Sequence, residues 1–153
     1  MRVINNTPLS GRVLRRMIVW VAKELDLPLS YVEKVRFKVT GKAWASGVAT
    51  GTPSKGDVLI RVGATGMFPL FAQYRKRAPV LIHFDWWDIL VALLAHELWH
   101  LADYRAGRWS IDEAQNERVS KMVVGEFNKD RVGLILKWRK TRTSDEGSGS
   151  EQS

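Results

Sequence analysis

Apolar residues recur every three or four positions from Leu9 to Leu25. Leu9, Val13, Met17, Trp20 or Val21, and Leu25 share one side of a helix, with Arg12, Arg15, Arg16 and Lys23 on the other. Thr7-Pro8 supplies the start, threonine as cap and proline in the first turn, and Pro28 sets the end. The arginine face reads as solvated. Ser30-Tyr31-Val32-Glu33 has the spacing of a capping box for one short turn. From Val35 the period falls to two, with Val35, Phe37 and Val39 alternating with Arg36, Lys38 and Thr40, which predicts a half-buried strand. Gly41-Lys42 turns into a second strand over Ala43–Thr50, weakened by Gly47, and Gly51–Gly56 is a loop. Asp57–Val62 is the clearest strand, and three strands with short connections predict an antiparallel meander.

Gly63 to Ala78 shows no clear period, and irregular stretches of that length are often functional or mobile. Tyr74-Arg75-Lys76-Arg77 within it reads as a solvated loop tip that could contact an acidic peptide or a nucleic acid. Pro79–Phe84 is expected to be a short edge strand, since proline cannot donate to a ladder. Asp85 then caps a helix in which nearly every position from Trp86 to Ala102 is apolar except Asp88, His96, Glu97 and His100. A helix apolar all round is buried all round. Burying an acid and two histidines there is costly unless they are paired or metal-bound. Ala106-Gly107-Arg108 breaks this helix, and Trp109-Ser110 leads into another from Ile111 to Phe127. Asn128 to Lys140 reads as helical but loosened by Gly133, and residues 141–153 form a polar tail expected to be disordered. One domain over residues 1–140 is expected, with no internal repeat.

Composition narrows the picture. The chain of 153 residues contains no cysteine, which excludes disulfides and thiolate metal sites and fits a reducing compartment. Arginines at 12, 15 and 16 interrupt any signal-peptide core, and Ile89–Leu101 is too short to span a membrane, so a cytoplasmic, non-membrane protein is expected. Net charge is +8; the last eleven residues hold three acids and no base, which leaves +11 for residues 1–142. An excess of that size can attract nucleic acid non-specifically, or simply confer solubility. Oligomeric state and substrate leave no trace in the pattern.

The candidate chemistry is His96-Glu97-Leu98-Trp99-His100, an H-E-x-x-H. At helical spacing the two histidines stack one turn apart and can bind one zinc ion, with Glu97 placed to act as general base on a water. A catalytic zinc site needs a third protein ligand. No histidine follows His100, which excludes the longer metzincin motif, so the candidates are Asp103, Asp112, Glu113 and Glu117. Asp103 lies on the motif's own helix and would reach across poorly, which favours an acid on the next helix. Glu113 and Glu117 are four apart there and share a face.

At this point the chain resembles the gluzincin zinc peptidases, the thermolysin-like class, in which H-E-x-x-H is followed by a helix carrying E-x-x-x-D. Here the second motif is Glu113-Ala114-Gln115-Asn116-Glu117, with glutamate in place of the aspartate. The resemblance covers roughly residues 85–127, and the short gap before Glu113 is closest to small bacterial and phage members. It implies His96, His100 and Glu113 as zinc ligands, Glu97 as catalytic base, and Glu117 as partner of a ligand histidine. Glu117 and Asp112 stay open as alternative ligands, because Ser110–Glu113 could equally be a capping box. The implied fold is α+β and zincin-like: a small antiparallel or mixed sheet on the N-terminal and H-E-x-x-H helices, followed by a ligand-bearing helix.

The expected activity is therefore zinc-dependent hydrolysis of a peptide or protein substrate. A SprT-type DNA-associated protease is the second reading, prompted by the basic charge, though such proteins take a later histidine as ligand. A non-enzymatic zincin-fold binding or regulatory module is the third. His83 is read as structural. Tyr104, on the face of His100, is read as packing, with oxyanion stabilisation the alternative. Trp86, Trp87, Trp99 and Trp109 are read as core around the central helix.

Overall fold

The computed structural model describes residues 1–40, 46–50, 56–63, 67–72, 81–107 and 113–141. The chain opens with strand β1 (Arg2–Asn6), followed by helix α1 (Gly11–Glu24), a 3-10 turn at Leu29–Tyr31 and strand β2 (Lys34–Thr40). Strands β3 (Ser46–Thr50) and β4 (Asp57–Gly63) complete a sheet of order β1-β2-β4-β3. Strands β5 (Met67–Ala72) and β6 (Leu81–Asp85) form a separate antiparallel ribbon, and β6 runs directly into helix α2 (Trp86–Arg105). Helices α3 (Glu113–Lys129) and α4 (Arg131–Arg139) follow. Among the described residues no helix is long and apolar enough to cross a membrane.

The expected antiparallel meander is corrected. β1, β2 and β4 are parallel, and only β3 runs antiparallel, on the outer side of β4. Two connections produce this. Helix α1 carries the chain back from the end of β1 to the start of β2, the crossover that parallel neighbours require. Beyond β2 the chain steps outward to β3 and returns, so that β4 enters between β2 and β3. Short connections between strands do not distinguish that path from a meander. β1 itself escapes pattern reading because five residues ending in two asparagines, which are depleted in strands, make a weak signal.

Local chemistry shifts other boundaries. Helix α1 is capped by Ser10, whose hydroxyl accepts the Val13 N–H at 3.1 Å, and not by Thr7. Asn5 accepts both the backbone N–H and the hydroxyl of Thr7, at 2.9 and 2.7 Å, so Thr7-Pro8 belongs to the turn between β1 and α1. The 3-10 turn has Pro28 at its cap position and no side-chain cap bond, so the Ser30 capping box does not form. β5 lies inside the stretch expected to be irregular, and its register slips between Met67 and Leu70, across Pro69, which has no N–H to give the ladder. The expected Asp85 cap, the side chains of His83 and Trp86, the loop at Tyr74–Arg77, Trp109 and the tail from residue 142 lie outside the described residues.

Helix α2 is the centre of the core, as its all-round apolar sequence requires. Ile89, Leu90, Val91, Leu94, Ala95, Leu98 and Leu101 pack with Leu14, Met17, Ile18 and Val21 of α1 and with Val35, Phe37, Val58 and Ile60 of the sheet. The alternate sheet residues (Arg2, Ile4, Lys34, Arg36, Lys38, Leu59, Arg61) are no part of this core. Trp87 and Trp99 are partly buried against it. An aromatic cluster joins the helices: Trp138 of α4 stacks on Phe127 of α3 at 5.7 Å, meets Trp20 of α1 edge-on at 6.0 Å and lies 6.2 Å from Trp87 of α2. Arg16 closes this corner, donating from Nη1 to the carbonyls of Lys137, Trp138 and Lys140 at the C-terminus of α4.

Gly56 sets the approach of β4 to β2. Its φ is +59°, and its carbonyl accepts the N–H groups of Glu33 and Lys34 at 3.0 and 3.3 Å. A Cβ at this position would overlap the Tyr31 carbonyl. Gly56→Ala therefore combines a left-handed backbone penalty with a backbone clash, and is expected to lower stability by about 2 kcal/mol or more in chemical denaturation.

Candidate metal centre

The site is built on the seam between α2 and α3, which run antiparallel. At one end Asp88, in the first turn of α2, accepts hydrogen bonds from Arg131 at 2.7 Å and Asn128 at 3.2 Å. One turn along, the Ser120 hydroxyl donates to the Ala92 carbonyl at 2.9 Å. One turn further, Asn116 donates to the His96 carbonyl at 3.4 Å. A buried acid at the positive end of α2 is favourably placed, and its charge is matched by Arg131.

On this seam stand the two histidines. The rings of His96 and His100 lie 5.1 Å apart at 70°, as expected of residues one turn apart on a helix. Donor atoms of His96, Glu97 and His100 all lie within 4.8 Å of one another, so the three could hold a metal ion. All three are buried. Nδ1 of His96 lies 2.9 Å from Oε1 of Glu117 on α3, and its Nε2 lies 4.0 Å from Oε2 of Glu97. With Nδ1 held by a carboxylate, the imidazole is fixed in orientation and its Nε2 is turned toward Glu97. The donor set could thus hold a divalent ion: imidazole nitrogens with a carboxylate, within 4.8 Å of one another, in a protein without thiols.

The sequence-derived candidates divide accordingly. His96, Glu97 and His100 come together, and Glu117 makes the histidine contact expected of it. Asp103 is buried but does not join the convergent group. Glu113 provides the first residue of α3, and its side chain lies outside the described residues, as does Asp112 altogether. Tyr104 stacks on His100 with ring centres 6.2 Å apart and planes at 23°, a packing contact directly on a candidate ligand.

Sequence reasoning missed Asn116 and Ser120. Both are buried and tie α3 to the backbone of α2 beside the histidines. The signal was available: Glu113, Asn116, Glu117 and Ser120 fall at i, i+3, i+4 and i+7, a polar stripe on the face where a packed helix normally carries apolar residues.

Comparison of the chain with protein-family models, curated proteins and solved structures gave no match. The case for the site therefore rests on its own geometry. Glu117→Ala would free the His96 ring, and affinity for divalent metal is expected to fall about 10- to 100-fold in chelator competition, with helix content unchanged by circular dichroism.

Proposed function

We propose that this protein is a zinc-dependent metallopeptidase in which His96, His100 and Glu113 hold the metal and Glu97 is the general base. The observation that carries this reading is the pair of contacts made by His96: Nδ1 on Glu117, and Nε2 within 4.0 Å of the Glu97 carboxylate. Zinc suits two imidazoles and a carboxylate with one position open. When bound, it would supply Lewis acidity, polarising a peptide carbonyl and acidifying water.

The remaining work falls to the chain. Adjacent residues on a helix diverge by about 100°, so Glu97 stands beside the histidine pair and not in line with it. That is the position for a carboxylate that takes a proton from attacking water and delivers it to the leaving amine. Glu117 holds the His96 ring throughout. Glu113 is favoured as third ligand by helix register. Glu117 contacts His96, and on antiparallel helices one turn back along α3, at Glu113, corresponds to one turn on along α2, at His100.

Burial supports a second reading. His96, Glu97 and His100 are only 7%, 4% and 9% exposed, which also suits a closed, structural metal in a binding module. Metal analysis and hydrolysis of an unfolded protein substrate separate the two. Wild-type protein should bind one zinc ion, and His96→Ala and Glu113→Ala should lose it. Glu97→Gln should keep zinc and lose about 10²- to 10⁴-fold in turnover. Stoichiometric zinc without hydrolysis would leave the structural reading, and absence of zinc binding would end both.

A further inference from the structure

The three parallel strands have a second face. Parallel sheets are ordinarily covered on both sides, yet here the apolar core lies on one side only. On the other, the register aligns three rows across β1, β2 and β4: Arg2–Lys34–Asp57, Ile4–Arg36–Leu59 and Asn6–Lys38–Arg61. Ile4 is 41% exposed, and Arg2, Asn6 and Lys38 are also exposed, so among the described residues no helix packs over this face. Its five cations face one carboxylate, Asp57, which lies 3.9 Å from Lys34. Strand spacing and rise make the patch about 10 Å by 13 Å. At its centre the Nε of Arg36 is buried and has no hydrogen-bond partner among the described residues.

We propose that this outer sheet face binds the phosphodiester backbone of duplex nucleic acid, with Arg36, Lys38 and Arg61 as its main phosphate contacts. A concentrated positive charge on one sheet face is complementary to a duplex, which presents one negative charge per about 1.7 Å of axis. Arginine forks at two of the three positions suit phosphate oxygens. None of the nine aligned residues is aromatic, so the face has no platform for unstacked bases and favours duplex over single strand. A folded protein partner fits less well, because Ile4 and Leu59 are separated by Arg36 and offer no continuous apolar centre. A lipid surface would engage an amphipathic helix more readily than a flat strand face. Helix α2 packs on the opposite side of the sheet, so duplex binding and the metal centre are independent.

The test is fluorescence anisotropy with a short labelled duplex of mixed sequence, titrated at several salt concentrations. Arg36→Gln/Lys38→Gln/Arg61→Gln is expected to lose about tenfold or more in affinity at low salt and to flatten the log K against log salt slope by about 2 to 3. Lys23→Gln/Lys121→Gln/Lys137→Gln removes the same charge from exposed helix positions and should bind within about twofold of wild type. Lys38→Glu, an exposed single substitution, provides a second probe if the triple variant folds poorly, and should weaken binding on its own. Equal losses in the two triple variants would overturn the proposal by assigning binding to overall charge. So would wild-type affinity in the outer-face variants, or anionic vesicles or polyglutamate competing better than unlabelled duplex. Zinc content is read in parallel and should be unchanged in every variant.

Discussion

The contact of His96 with Glu117 is the constraint around which the candidate centre is assembled. Helix α2 is apolar almost all round because it runs through the core, and polar groups in such a helix are tolerated only with partners. α3 supplies them in a row. Glu117 takes the imidazole, Asn116 and Ser120 bond carbonyls of α2 one turn apart, and Asn128, joined by Arg131 of α4, holds Asp88 at the far end. Such bonds are directional where apolar packing is not, so the seam fixes both the register of the helices and the rotation of α3. That rotation is what delivers Glu117 to Nδ1 of His96.

Much of this was legible in the sequence, for identifiable reasons. The all-apolar run around His96 announced a buried helix, and the four-residue spacing of Glu113 and Glu117 announced a second acidic face beside it. Strand β2 was visible because Val35 and Phe37 alternate with Arg36 and Lys38, and β4 because Val58, Leu59, Ile60 and Val62 form a short apolar, largely β-branched run after a loop. What escaped depended on long-range pairing. β1 is too short and polar to declare itself, and its place beside β2 follows from the crossover by α1. The meander was expected because loop length carries no information about which side of β2 the returning strand will take. At Thr7, a favourable capping sequence lost to Asn5, which captures the threonine hydroxyl and moves the helix start to Ser10.

Net charge shows the same division. A total of +8 does not say where the charge lies. The notable arginines of the sequence were those of α1, yet Arg16 is engaged with the carbonyls that end α4. The cations that converge are on β1, β2 and β4, and only parallel register brings Arg2 beside Lys34 and Lys38 beside Arg61. Antiparallel pairing of the same strands would have produced a different set of neighbours, so the correction to the topology is also what reveals the basic face.

Glu117 ties stability to chemistry. One of its oxygens is bonded to His96, and the other, Oε2, is buried with no hydrogen-bond partner among the described residues. Leaving such a group unsatisfied costs about 1–3 kcal/mol, and a glutamate retained only for packing could be replaced by leucine or methionine without that penalty. Its charge becomes useful once a cation sits beyond the imidazole, because a carboxylate behind the ring raises the basicity of the ligand nitrogen. The same residue would then destabilise a metal-free protein and strengthen a metal-bound one. On the proposed reading, metal binding and folding would be linked through this pair, and the under-satisfied carboxylate supports a cation at the seam between α2 and α3.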